Sequence, residues 1–145
     1  MKSIADIIGA LNAEVSIEAL SFPTSSVDPT VAADAAAVAA GQRAIGDKWK
    51  ALVGSPHAFL THHIGHDLAY PGFQQMDVPQ CELLAQQLID LADNDSIRLT
   101  NHSSNIDSIV SGSYGWTSVS NWTFDLAYVA VGSKNTLFIW FFAED

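Results

Sequence analysis

Near its end the chain carries Thr136-Leu137-Phe138-Ile139-Trp140-Phe141-Phe142, a run with a single polar side chain. In a strand, successive side chains point to opposite faces. A run that is apolar at nearly every position therefore presents apolar groups on both faces. It escapes water only as a central strand covered on both sides. Just upstream, Phe124 to Val131 reads as a second strand, and Gly132-Ser133-Lys134-Asn135 between them has the length of a hairpin connection. The two segments predict an antiparallel ribbon at the centre of a sheet.

The N-terminal half reads mostly as helix. Ser3 and Asp6 stand three apart as a capping box, and Ile4, Ile7, Ile8 and Leu11 follow at helical spacing, which predicts a helix from Ser3 to about Ala13. Val15 to Phe22 alternates weakly and stays ambiguous between strand and helix. Phe22 to Pro29 is a loop of Pro, Ser and Thr. Asp28-Pro29 is a helix start, and the alanine-rich segment after it predicts a helix running to a stop at Gly54, with Val31, Ala35, Val38, Ile45, Trp49 and Leu52 on one face. His57 to Ile64 reads as a short strand, and the sequence from Gly65 to Met76 as an irregular loop. Asp77, with Gln80 three residues on, predicts a capped helix carrying Cys81, Leu84, Leu88 and Leu91 on its apolar side. Ser96 to Thr100 reads as a strand, and Ile106 to Val110 as a short apolar segment before a glycine-rich turn. Helices followed by strands, without regular alternation, define an α+β domain with a mostly antiparallel sheet, and 145 residues fit one such domain spanning 1–145.

Charge narrows the function. Sixteen acidic residues oppose six basic ones, a formal net charge of -10, and beyond residue 50 only Arg98 and Lys134 face the carboxylates. Such a field repels phosphates and anionic lipid, so neither nucleic acid nor a membrane is expected as partner. It attracts cations and basic protein surfaces. No apolar run reaches the ~20 residues of a membrane span, and the first residues do not read as a signal peptide. The cytoplasm is the expected compartment. Cys81 is the only cysteine, which leaves out an internal disulfide and a multi-cysteine metal site.

Three clusters carry possible chemistry. His62, His63, His66 and Asp67 are metal-ligand residue types, and a metal-dependent enzyme built on them is one alternative. Yet the segment lacks the glutamate of an H-E-x-x-H helix, and on a strand His62 and His63 would point to opposite faces. Cys81, on the apolar stripe of its helix, reads as a small buried hydrophobe. Ser111-Gly112-Ser113-Tyr114-Gly115 lacks the spacing of a nucleophile elbow. The aromatic residues Tyr114, Trp116 and Trp122 surround a polar segment, in the manner of an interface or of the core edge of a small sheet. An adaptor subunit docking through this turn is a further alternative.

The pattern Ser111-Gly112-Ser113-Tyr114-Gly115-Trp116-Thr117, then Thr123-Phe124-Asp125, then the apolar strand ending Ile139-Trp140-Phe141-Phe142-Ala143-Glu144-Asp145, resembles the C-terminal part of small acidic immunity proteins of bacterial polymorphic toxin systems. The resemblance implies a non-enzymatic, cofactor-free protein that binds and neutralises a cognate intracellular toxin. The acidic balance agrees with it, because an acidic inhibitor is steered towards a basic toxin face. The expected partner-binding set is Asp90, Asp93, Asp95, Asp107, Tyr114, Trp116, Trp122, Glu144 and Asp145, gathered as an acidic rim beside the tryptophans at one edge of the sheet.

Overall fold

A computed structural model of the chain describes residues 3–12, 15–70, 72–102 and 115–144. Among them are four α-helices, α1 (Ile4–Leu11), α2 (Pro29–Ala39), α3 (Pro56–Gly65) and α4 (Val78–Asp90). The strands are β1 (Ile17–Pro23), β2 (Lys50–Ala51), β3 (Ile97–Thr100), β4 (Phe124–Val131) and β5 (Asn135–Ala143). They form one five-stranded sheet in the order β1-β5-β4-β3-β2, with every pairing antiparallel. The fold is α+β, with the four helices within the first ninety residues and the sheet's central strands β4 and β5 at the C-terminal end.

β5 is covered on both faces, as its composition requires. Leu137, Ile139 and Phe141 face one core with Ile7 and Leu11 of α1, Phe59, Leu60 and Ile64 of α3, and Leu84 and Leu88 of α4. Phe138 and Trp140 face the other, built with Ala32, Ala33, Ala36 and Ala37 of α2 and with Trp49. Full burial of a side chain such as Phe138 or Ile139 is worth roughly 1.5–3 kcal/mol, so the ribbon is the largest single source of core. The small alanine face lets α2 lie close against β4 and β5. The Ser3–Asp6 capping box is formed, and β4 and β5 meet in the expected hairpin, with Val131 paired to Thr136.

Four local readings change. The ambiguous segment becomes the edge strand β1, with Ile17 opposite Phe141 and with Ile17 and Ala19 turned to the core. The helix opened by Asp28 stops at Ala39 instead of Gly54. Gly41 adopts φ 81°, and the amides of Gly41 and Gln42 donate to the carbonyls of Val38 and Ala37, a Schellman end. The chain then folds back, held by the Asp34 carboxylate. It accepts from the amides of Ile45 and Gly46 and, at 2.7 Å, from Trp49 Nε1. Trp49 thereby reaches the core edge-on to Phe138 from a loop and not from the helix.

The expected strand at His57 to Ile64 is the helix α3. Ser55 caps it by accepting from the amide of Ala58, and Pro56 occupies its first turn. Gly65 ends it where a side chain would crowd α4, since a Cβ there would stand 3.1 Å from Cys81 Sγ. Asp77 does precede α4, but its side chain makes no capping hydrogen bond, so the second capping box is not formed.

Candidate functional site

Packing of α3 against α4 leaves a cleft of about 500 Å³ on that side of the molecule. Its walls include His57, Thr61, His62 and His66 from the α3 side, Gln74 and Met76 from the loop, and Cys81 and Glu82 from α4. The helix spacing explains the histidines. His62 and His66 are four apart and share a face, so their rings stack with centroids 4.3 Å apart and planes 20° apart. His66 Nδ1 lies 2.9 Å from the carbonyl of His62, and His57 Nε2 lies 3.0 Å from the carbonyl of Glu82. Partial burial, with a lesser contribution from His66, lowers the His62 pKa to about 4.

His63 turns inward from α3, its ring still edge-on to that of His62 with centroids 5.1 Å apart. It is buried, packs edge-on to Phe59 and stands near Phe141 and His102. Its Nε2 has no hydrogen-bond partner among the described residues, and burial holds its pKa well below the ordinary histidine value. Three of the four residues considered for a metal, His63, His66 and Asp67, line a second, smaller cavity, but their side chains are committed differently. Two form a parallel stack, one points into the core, and Asp67 Oδ1 accepts from the amides of Ala69 and Tyr70. Among the described residues no three His, Cys, Asp or Glu side chains are arranged to hold a metal ion.

A buried polar knot, which the sequence did not single out, fastens the end of the sheet where β4 begins. Asp125 is 1% exposed in an otherwise apolar strand. Its carboxylate accepts from Asn101 Nδ2 at 2.8 Å, from Ser120 Oγ at 2.7 Å and from the amides of Val119 and Ser120. Asn101 Oδ1 in turn accepts from the amide of Ala127 at 2.7 Å. His102 Nε2 lies 3.2 Å from the carbonyl of Asp125, and burial lowers its pKa to about 4. Serine, histidine and aspartate thus meet here, but the aspartate bonds the serine directly and the histidine meets a backbone carbonyl. A hydrolytic triad requires histidine between the other two, so this knot is a fastening. The one sequence signal for it was a lone aspartate inside FDLAYVAV.

The knot positions the aromatic residues. Trp116 is half-buried, its ring stacked on His102 at 5.6 Å and beside Phe124 at 5.7 Å, so it supports the sheet end. Trp122 is 43% exposed and covers Phe142 at 4.8 Å. Glu144 accepts from the Thr123 hydroxyl next to it.

Of the expected acidic rim, Asp107, Tyr114 and Asp145 lie outside the described residues. The others are divided between two ends of the ribbon. Trp116, Trp122 and Glu144 lie where Phe124 pairs with Ala143, whereas Asp93 and Asp95 lie at the hairpin beyond the pairing of Val131 with Thr136. Seven residue steps separate these ends, roughly 23 Å at the rise of a strand. The hairpin acids are also engaged. Asp93 accepts from the amides of Lys134 and Asn135 at 3.0 and 2.8 Å, and Asp95 from the amide of Ser133 at 3.2 Å. These bonds hold both carboxyls below the usual carboxylate pKa. Asp90 accepts from Gln86 Nε2 along α4. A single rim beside both tryptophans is therefore not formed by the described residues.

The fold and its site define an α+β protein whose antiparallel sheet has helices on both faces, with a histidine-lined cleft and an exposed aromatic strand end. No family model matches the chain, and no curated protein or solved structure is significantly similar to it.

Proposed function

We propose that this chain is a non-enzymatic binding protein of the immunity type, which neutralises a cognate toxin by covering a basic surface. The observation that carries the reading is the exposed Trp122 over Phe142, with Glu144 beside it, on a chain of net charge -10. An exposed tryptophan on a firm aromatic base buries large area at low entropic cost, and such residues dominate the energy of interfaces. The surrounding negative charge supplies steering and selects a basic partner. The binding face is the end of the ribbon that carries Trp122, Phe142 and Glu144, with Trp116 as its support. The hairpin acids add to the field without being part of that face.

The test is neutralisation. The product of the gene beside this one is expressed alone and with this chain in a bacterial host. The expected result is growth arrest relieved by the chain and not by its Trp122→Ala variant at equal abundance. Arrest that the chain fails to relieve, or relief unaffected by the substitution, contradicts the proposal.

A further inference from the structure

The cleft between α3 and α4 takes no part in the partner face proposed above. We propose that it is a binding site for a small planar organic cation of the amidine or guanidine class. The fold has already used several of the hydrogen-bonding groups that line it. A carbonyl oxygen only accepts, so the ring nitrogens that meet one, His57 Nε2 and His66 Nδ1, carry the hydrogen. In the neutral rings the second nitrogen of each is then an acceptor. Gln74 commits one of its two Nε2 hydrogens to the carbonyl of Met76 at 3.1 Å, and its amide oxygen is an acceptor. Among the described residues Glu82 is the one carboxylate that lines the cleft, and no lysine or arginine does.

Neutral His62 adds one donor and one acceptor, so acceptors outnumber donors along the cleft, and it suits a ligand that donates. The stacked imidazoles of His62 and His66 provide an aromatic wall, against which a planar cation is attracted through its face while its N–H groups donate from its edge. Ala58, Met76 and Val78 supply apolar area for the remainder of the ligand. An anion of the same shape meets acceptors and a carboxylate, and is rejected. A volume of about 500 Å³ lies within the range of small-molecule pockets.

The probe is benzamidine, titrated into the full chain while amide chemical shifts are followed, with benzamide and benzoate as neutral and anionic controls of nearly equal shape. Saturable shifts confined to α3, α4 and residues 74–76 are expected with benzamidine. Binding of benzamide is expected about tenfold weaker, and none with benzoate. Ala58→Phe, at an exposed helical position on the wall, fills the cleft and abolishes the shifts. Glu82→Gln keeps the fold and weakens benzamidine binding about threefold or more. The proposal is overturned if benzamidine gives no saturable shift, if benzoate binds as well, if the shifts lie elsewhere, or if folded Ala58→Phe binds normally. Should Ala58→Phe fail to fold, unchanged affinity in Glu82→Gln overturns it.

Discussion

Each end of the β4–β5 ribbon is fastened by an aspartate that collects backbone amides, and the two aspartates sit in opposite surroundings. Asp93 holds the hairpin from the surface, accepting from Lys134 and Asn135. Asp125 holds the other end from the interior, accepting from Asn101, Val119 and Ser120 with its carboxylate 1% exposed as a residue. At the surface water replaces a lost acceptor, whereas in the interior each abandoned donor costs about 1–3 kcal/mol. The aromatic end therefore stands on the fastening that costs more to break, which suits the binding face proposed for it.

The largest effect expected from this comparison is at Asp125. Asp125→Ala strips four donors of their acceptor and is expected to cost about 3 kcal/mol or more by chemical denaturation. Asp93→Ala is expected to cost clearly less. Equal losses would erase the distinction between the two ends.

Acid comes next. His102 has a folded-state pKa of about 4 against an ordinary 6.5, with burial as the main cause, and His63 moves in the same direction. Below pH 6.5 the unfolded chain binds protons that the folded chain refuses, so stability falls as pH drops. The loss from His102 is complete near pH 4 and on the order of 3 kcal/mol. Asp93 and Asp95 act lower. Their folded pKa values are depressed, so their contribution is present above the ordinary carboxylate value and lost as pH falls through the depressed ones. Denaturation midpoints between pH 7 and 4 should decline in the wild type and decline less in a folded His102→Gln variant. A flat profile would remove the buried histidines from the account.

The smallest stability effect is expected at the hairpin tip. A Cβ at Gly132 would overlap the Asp93 carboxylate. Gly132→Ala is expected to lose about 1–3 kcal/mol through crowding. Thermal melts of Gly132→Ala in the wild type and in an Asp93→Ala background decide the cause, because relief in the second background is expected only if the two groups collide.

Legibility in the sequence followed the range of the interactions. The burial of β5, the four-residue hairpin and the Ser3–Asp6 cap are set by neighbours in sequence, and each is read directly from residue type and spacing. The sequence of α3 reads as a strand because a few histidines and apolar residues fit either period, although Ser55-Pro56 before them is a helix start. α2 was overextended because Gly41 reads as a weak interior position unless the turn after it is known. The division of the acids between two ends was illegible for a different reason. It depends on where α4 and β3 leave the chain relative to the ribbon, and that is decided by long-range packing. The Asp125 knot likewise joins residues up to 26 apart, so composition alone shows only an odd aspartate in an apolar strand.

We propose that the Trp122 end binds a basic protein partner while the hairpin end is structural. A pair of titrations on the purified product of the neighbouring gene, with Trp122→Ala and Asp95→Asn in parallel and melting curves on both, tests this. Trp122→Ala is expected to keep its fold and lose about 2 kcal/mol of affinity, about thirtyfold in Kd, while Asp95→Asn binds almost as the wild type does. Wild-type affinity in Trp122→Ala, together with a large loss in Asp95→Asn, would contradict it.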